Sequence, residues 1–77
     1  MNENIIREQL KEIGSFCKSC REDKGIKQRE LAKPIGYSPA LIQKFEKGEI
    51  NSAIILYQYV KRGIFNEKGH SMEIISL

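Results

Sequence analysis

The first third of the chain carries apolar or small residues at helical spacing. They recur in steps of four, three, four and three residues, which is the pattern of one stripe along an α-helix. These positions are Ile6, Leu10, Ile13, Cys17 and Cys20. The pattern predicts a first helix from about Ile5 to Lys24 whose stripe faces a core. Asn4 is suited to cap its start, and Gly25 to end it in a left-handed conformation.

A second, shorter helix is predicted from Gln28 to Ile35. Leu31 lies four residues before the last of these, and Gly36 provides a stop. Pro34 has no amide hydrogen to continue the helical bonding, so the last turn is expected to be loosened or kinked.

A third helix is predicted from Pro39 to about Lys47, with Ser38 as its cap and Gly48 as its end. Its apolar stripe of Leu41, Ile42 and Phe45 is expected to face inward. The positions left on the opposite face are small, polar or cationic, and they are Pro39, Ala40, Gln43, Lys44 and Lys47.

A fourth helix is predicted from a cap at Asn51 or Ser52 to Arg62, and apolar residues surround much of its circumference. This excess suggests a second buried face. Residues 64–77 contain a turn signal before a β-prone end and are interpreted as a short hairpin or a docked tail. The expected fold is therefore all-α: a compact four-helix domain over residues 1–63 with a C-terminal extension over residues 64–77.

Composition and charge reduce the number of function classes that fit the chain. The 77 residues suffice for one small domain, and no stretch approaches the ~20 apolar residues of a membrane span. The charged N-terminal segment has no export-signal core, so a cytoplasmic location is expected, with both cysteines reduced. From Lys24 to Gly48, six lysines and arginines stand against two glutamates in a chain of net charge +3. Such a positive segment is typical of a polyanion-binding face, although a solvated basic patch remains the alternative.

Two short helices joined by a glycine-containing turn have the geometry of a helix-turn-helix, whose second helix enters the DNA major groove. The stretch from Ile13 to about Tyr59 resembles the helix-turn-helix domain of the lambdoid phage repressor and Cro family, also called the Xre family. The residues that carry the resemblance are Arg21, Gly25-Ile26, Gln28, Leu31-Ala32, Gly36, Ser38, Ile42, Phe45, Glu46 and Gly48.

The resemblance implies that Arg21 and Glu46 form a structural ion pair between the first and third helices. The family commonly reads bases with polar side chains at the first two positions of the third helix, but here Pro39 and Ala40 occupy them. Direct readout at these positions is then limited to apolar contact, such as Ala40 against a thymine methyl. Lys27 as the second helix's cap is a further departure, and the family's fifth helix has no obvious counterpart.

The DNA-contacting residues are expected on the second and third helices and in the loops beside them. Gln28 and Lys47 are assigned to phosphate, and Gln43 and Lys44 to base edges. The alternative for each is a solvent-exposed side chain without a partner. The full set is Gln28, Ser38, Pro39, Ala40, Gln43, Lys44, Lys47 and Asn51.

The pair Cys17-x-x-Cys20 has the spacing of a metal or redox motif, but both sulfurs fall on the core stripe of the first helix. His70 is the one other soft ligand for a site that needs four, so core packing is the preferred interpretation and no metal or cofactor is expected. An enzyme is not expected either, since the chain has one histidine, no nucleophile with a positioned base and no glycine-rich phosphate loop.

The resulting hypothesis is a sequence-specific double-stranded DNA-binding regulator, a small repressor of phage or mobile-element type. The alternative is a protein-interaction module that acts on another regulator through its fourth helix and tail. A homodimer through the C-terminal region is predicted, because that region has more apolar area than a monomer can hide. The interface residues are expected to be Tyr57, Ile64, Phe65, Met72, Ile74, Ile75 and Leu77.

Overall fold

The structure, a computed structural model, describes residues 3–66 of the chain. Within that range the chain is all-helical, and the predicted four-helix architecture is confirmed. The helices are α1 (Glu3–Asp23), α2 (Gln28–Ala32), α3 (Pro39–Glu46) and α4 (Ala53–Lys61). Most of the predicted hairpin or docked tail, from residue 67 onward, lies outside the described residues.

The eight apolar residues at the centre come from all four helices and from the turn that follows α4. They are Cys17, Leu31, Ala32, Ile42, Phe45, Ile55, Tyr59 and Ile64. The short α2 and α3 pack against each other, and α1 crosses α3. None of the helices in this part of the chain is long and apolar enough to span a bilayer.

The expected core stripe of α1 is partly wrong. Cys17 is buried, but Ile6 and Ile13 remain 37 % and 41 % exposed. The buried positions of this helix are Gly14, Cys17 and Arg21, so the core face is rotated away from the two isoleucines. The helix also begins at Glu3, which places Asn4 inside it and not at its cap.

The physical reason for this rotation is the close approach of α1 to the end of α3. A Cβ atom on Gly14 would lie 2.4 Å from the backbone oxygen of Glu46. A Cβ atom on Gly48 would likewise lie 2.7 Å from the Cα of Lys11, and the φ of Gly48 is +77°. The two glycines therefore allow backbone-to-backbone contact that a larger side chain would prevent.

The turn between α2 and α3 follows the expected loosening at Pro34. Regular α-helix ends at Ala32, and Lys33–Ile35 form a 3₁₀ turn. Gly36, at φ 69°, closes this turn with its N–H bonded to the carbonyl of Lys33 at 3.1 Å. Only glycine adopts such a left-handed conformation readily, so Gly36 sets the direction in which the chain enters α3.

The helix starts differ in how they are capped. Ser38 occupies the N-cap position of α3, but its hydroxyl makes no capping bond. The N–H of Leu41 bonds to the backbone carbonyl of Ser38 at 3.1 Å. At α4 the cap is Ser52 and not Asn51, since the Ser52 hydroxyl accepts the N–H of Ile55 at 3.2 Å.

Replacement of Gly14 by alanine should destabilise the fold although alanine favours helices. The added methyl would meet backbone that cannot rotate away, so we expect a loss of about 1–3 kcal/mol. A domain of this size then melts roughly 4–8 °C lower for each kcal/mol. The neighbouring exposed change Ser15→Ala is the matched control, and it should shift the melting temperature little. If both variants had the same melting temperature by circular dichroism, the close approach of α1 to α3 would not limit the size of the residue at position 14.

Candidate nucleic-acid interface

The outward face of α3 combines exposure with positive charge. Pro39, Ala40, Gln43, Lys44 and Lys47 are all exposed, as expected from the sequence. The opposite face of the helix holds Ile42 and Phe45, which are 0 % and 4 % exposed. The helix therefore has one side fixed in the core and one side available to a ligand.

Glu46, at the end of α3, joins this helix to the other three. Arg21 from α1 donates from Nε to Glu46 Oε2 at 2.7 Å and from Nη2 to Oε1 at 3.0 Å. Gln28 from α2 donates from Nε2 to Oε1 at 3.0 Å. The hydroxyl of Tyr59 from α4 donates to Oε2. The structure thus brings together the expected Arg21–Glu46 pair and adds two donors to it.

The side chains of this cluster are buried, so their charges and hydrogen bonds affect one another strongly. Glu46 is 5 % exposed, Arg21 7 % and Tyr59 0 %. Burial by itself raises the pKa of the Glu46 carboxyl, but the hydrogen bonds from Arg21, Tyr59 and Gln28 outweigh it and hold the pKa below its ordinary value. Burial and the bond to Glu46 raise the pKa of Tyr59 far above that of a free phenol. The carboxylate is therefore charged, and the phenol protonated, at neutral pH.

Arg21 also fixes the turn that leads into α2. Its Nη1 donates to the backbone carbonyl of Ile26 at 2.7 Å. The start of α2 is held by Glu30, whose carboxylate accepts the backbone N–H of Lys27 at 2.8 Å. Glu30 thus makes the return bond of a capping box, whereas the Lys27 ammonium has no lone pair with which to accept an N–H of the first turn.

These elements correspond to a known family. Residues 18–55 match the model of a protein family described as helix-turn-helix, a match that runs from the second half of α1 into α4. The chain carries a helix-turn-helix domain of the Xre family. Proteins of this family bind double-stranded DNA as transcription regulators. No curated protein and no solved structure gives a significant match to the chain.

In the helix-turn-helix domain, α3 occupies the position of the DNA-reading helix. Gln28 lies half-buried at the start of α2, with one amide N–H engaged by Glu46 and the other available, since an amide carries two. Ser38 is exposed just before α3, and Asn51 is exposed in the segment between α3 and α4. These residues lie where the sequence placed them, on α2, on α3 and in the two loops that border α3.

The residues expected at a dimer interface divide into three groups. Tyr57 is 53 % exposed on α4 and remains available, whereas Ile64 is 2 % exposed within the core of its own chain and offers little surface to a partner. Phe65 is half-buried and stacks on Tyr59 with ring centroids 6.0 Å apart. The rest of the expected interface, Met72, Ile74, Ile75 and Leu77, lies outside the described residues.

Sequence reasoning missed two members of the exposed face of α4. Ile54 and Val60 are 46 % and 54 % exposed and lie three residues on either side of Tyr57. The signal was present in the apolar residues around α4, but the pattern alone did not show which of them the core would take. We refer to Ile54, Tyr57 and Val60 as the α4 face.

The two cysteines differ in environment. Cys17 is 1 % exposed in the core, as expected, and burial raises the pKa of its thiol to about 12. Cys20 is half-buried and, like Cys17, a free thiol. Across residues 3–66 no three potential ligands from histidine, cysteine, aspartate and glutamate are grouped to hold a metal.

The charge of Glu46 should make stability depend on pH. Because the pKa of Glu46 is lowered on folding, its stabilisation is complete above the ordinary value of 4.5 and is lost as pH falls through the folded value. We expect Glu46→Gln to cost about 3–5 kcal/mol at pH 7, since it leaves Arg21 buried without its counter-charge. Below the ordinary carboxyl pKa the parent and the variant should converge in melting temperature.

The control for this experiment is Glu49→Gln, which removes an exposed carboxylate three residues further along the chain. That variant should follow the parent across the whole pH range. A Glu46→Gln protein that kept a constant difference from the parent down to acidic pH would show that folding does not lower the pKa of Glu46.

Proposed function

We propose that the chain is a sequence-specific double-stranded DNA-binding transcriptional regulator, a small repressor of phage or mobile-element type that acts in the cytoplasm. In this proposal α3 enters the major groove with its exposed face toward the bases. The observation that carries it is the division of α3 into an anchored side, held by Glu46 and the core, and a free cationic side.

The residues of the free side have distinct roles in this proposal. Lys44, in the middle of α3, reaches a guanine edge, and Gln43 beside it offers an amide donor and acceptor to the bases. Ala40 makes only apolar contact, such as with a thymine methyl. Lys47, at the end of the helix, binds phosphate, as does the remaining N–H of the Gln28 amide.

The loops that border α3 complete the proposed contacts with the DNA backbone. The hydroxyl of Ser38 is not used in capping, so it is available to donate to a phosphate oxygen. Asn51 is exposed and leaves the capping of α4 to Ser52, so its amide is available in the same way. Pro39 contributes a rigid start to α3 and no hydrogen bond.

A second candidate is a protein-interaction module that modulates another regulator. One observation favours it: Pro39 and Ala40 are exposed at the leading end of α3, and neither has a side-chain hydrogen-bonding group. In this alternative α4 and the C-terminal tail, and not α3, carry the function. Salt-dependent binding to duplex DNA separates the two candidates, because only the first requires it.

Binding to duplex DNA should respond differently to two kinds of substitution. Lys47→Ala removes one phosphate contact, so binding should weaken similarly on all sequences and the log–log salt slope should fall by about one unit. Gln43→Ala and Lys44→Ala should instead reduce the preference for sites selected from random duplex DNA. Fluorescence anisotropy over a range of salt concentrations measures both effects.

Lys18→Ala is the matched control, because Lys18 is an exposed lysine on α1, outside the elements assigned to DNA. It should leave the salt slope unchanged. If Lys47→Ala, Gln43→Ala and Lys44→Ala all bound every duplex as the parent does, the assignment of α3 to DNA would be wrong.

We also propose that the regulator binds an operator of two inverted half-sites as a homodimer. One recognition helix covers few base pairs, and a two-fold dimer places two such helices in successive major grooves about 34 Å apart. The α4 face supports this part of the proposal, because it presents three large apolar side chains, each about half exposed, on one side of one helix. Ile64 has little free surface to add to this interface, because it is 2 % exposed. Phe65, Met72, Ile74, Ile75 and Leu77 stay in the proposed interface as predicted from the sequence.

Introduction of a charge into the α4 face should separate the protomers. At tens of micromolar the parent should sediment as a dimer and Tyr57→Glu as a monomer, because the change buries an unpaired carboxylate in the interface. Ser15→Glu adds the same charge on the exposed side of α1 and should remain dimeric. A monomeric parent, or a dimeric Tyr57→Glu variant, would contradict the proposed interface.

A further inference from the structure

A cleft of about 500 Å³ lies between the first half of α1 and the residues that follow α3. It is lined from both sides by polar and charged residues with one leucine, and these are Arg7, Leu10, Lys11, Lys47, Gly48 and Glu49. Three of the six carry a positive charge and one carries a negative charge. The cleft therefore favours an anionic ligand.

The close approach of α1 to the end of α3 brings the three cations together. A Cβ atom on Gly48 would lie 2.7 Å from the Cα of Lys11, so the two backbones are in direct contact. This contact places Lys11 and Lys47 on opposite sides of one cleft although they are far apart in the chain. Arg7 lies one helical turn before Lys11 on the same side of α1, about 6 Å along the helix axis.

The three cations have no counter-charge in the part of the chain that the structure describes. Their side chains are exposed, and within residues 3–66 neither Arg7, Lys11 nor Lys47 forms an ion pair. Glu49 lines the same cleft but is not paired with any of them. Like charges at this spacing repel one another. Such an arrangement is typical of a surface whose counter-charge comes from a ligand.

Lys47 belongs both to this cleft and to the exposed face of α3. In the proposed function it binds a backbone phosphate of a duplex whose bases face Gln43 and Lys44. A strand that passes Lys47 therefore meets the cleft, where Arg7 and Lys11 lie on the far side. Phosphates recur about every 3.4 Å of duplex axis on each strand, so two long side chains about 6 Å apart can reach neighbouring phosphates.

We propose that Arg7 and Lys11 bind the DNA backbone next to the phosphate held by Lys47, so that α1 extends the contact made by α3. This inference rests on the proposed function, because it requires a duplex on α3. Its ligand is a phosphodiester strand, whose regularly spaced anions fit cations that are one helical turn apart. Contacts of this kind add affinity without reading sequence. They compensate for the start of α3, where Pro39 and Ala40 offer the bases no side-chain hydrogen bond.

The experiment measures the salt dependence with which the full chain binds a duplex selected from random sequences. Arg7→Gln/Lys11→Gln removes both charges and keeps long polar side chains that favour helix. Each phosphate contact contributes about 0.9 units to the log–log salt slope, so the double variant should lose about 1.8 units. Over a fourfold rise in salt, the ratio of parent to variant affinity should fall about twelvefold. Each single variant should lose half of the slope change.

The matched control is Lys61→Gln/Arg62→Gln, which removes two exposed positive charges at the end of α4, outside the cleft and outside α2 and α3. The exposed pair that Arg62 forms with Glu30 contributes little to stability. This control should keep the parent's salt slope. Lys18 also lies outside the cleft, seven residues beyond Lys11 on α1, and remains a control for Lys47.

The outcomes separate this inference from the proposed function. A salt slope in Arg7→Gln/Lys11→Gln equal to that of the parent would overturn the contact of α1 and leave the role of α3 intact. An equal loss of slope in the α4 control would overturn it too, because the effect would then come from net charge. A parent that bound no duplex would refute the proposed function and the contact of α1 together.

Glu49→Gln provides a second test that leaves α1 unchanged. It removes the one carboxylate that lines the cleft, so phosphate should be repelled less and every duplex should bind more tightly. Because Glu49 is exposed, the variant should fold as the parent does. Binding no tighter than that of the parent would contradict the presence of a phosphate strand in the cleft.

Discussion

One buried carboxylate, that of Glu46, connects all four helices of the described domain. It accepts hydrogen bonds from Arg21 on α1, Gln28 on α2 and Tyr59 on α4, and itself belongs to α3. Removal of two charges from water is expensive, and the cost is offset only when every lone pair and donor finds a partner. Among the described residues no buried side-chain polar atom is left without one. A domain with eight buried apolar residues therefore gains its fixed helix orientations from a polar centre as well as from packing.

The sequence identified the helices and their ends more reliably than it identified the buried face of α1. Helix boundaries depend on local chemistry, such as the missing amide of Pro34 and the left-handed backbone of Gly36, and this chemistry is readable from neighbouring residues. The core face depends on what packs against it. Gly14 lies where α1 approaches the backbone at the end of α3, and it has no side chain to contribute to an apolar pattern. A search for apolar residues therefore selected Ile6 and Ile13, which the structure leaves substantially exposed.

The candidate site likewise divides into features that the sequence predicted and features that depend on how separate helices meet. The Arg21–Glu46 pair could be anticipated from the resemblance to a family, and the exposed face of α3 from helical periodicity. The contributions of Gln28 and Tyr59 could not, because hydrogen bonds between residues 13 to 18 positions apart depend on how separate helices meet. Ile64 was assigned to an interface for a related reason. Its apolar character was evident, but whether it turns inward or outward is decided by the chain reversal after α4.

The separation of α3 into two sides has an evolutionary consequence. Substitutions on an exposed helix face usually change stability by no more than ~0.5 kcal/mol, whereas changes in a buried polar cluster cost several times as much. Gln43 and Lys44 can therefore be exchanged freely without endangering the scaffold that Glu46 maintains. Single mutations on the exposed side could therefore change what the helix binds, and each would yield a folded protein. The buried side of α3 maintains the fold, and the exposed side can change under selection.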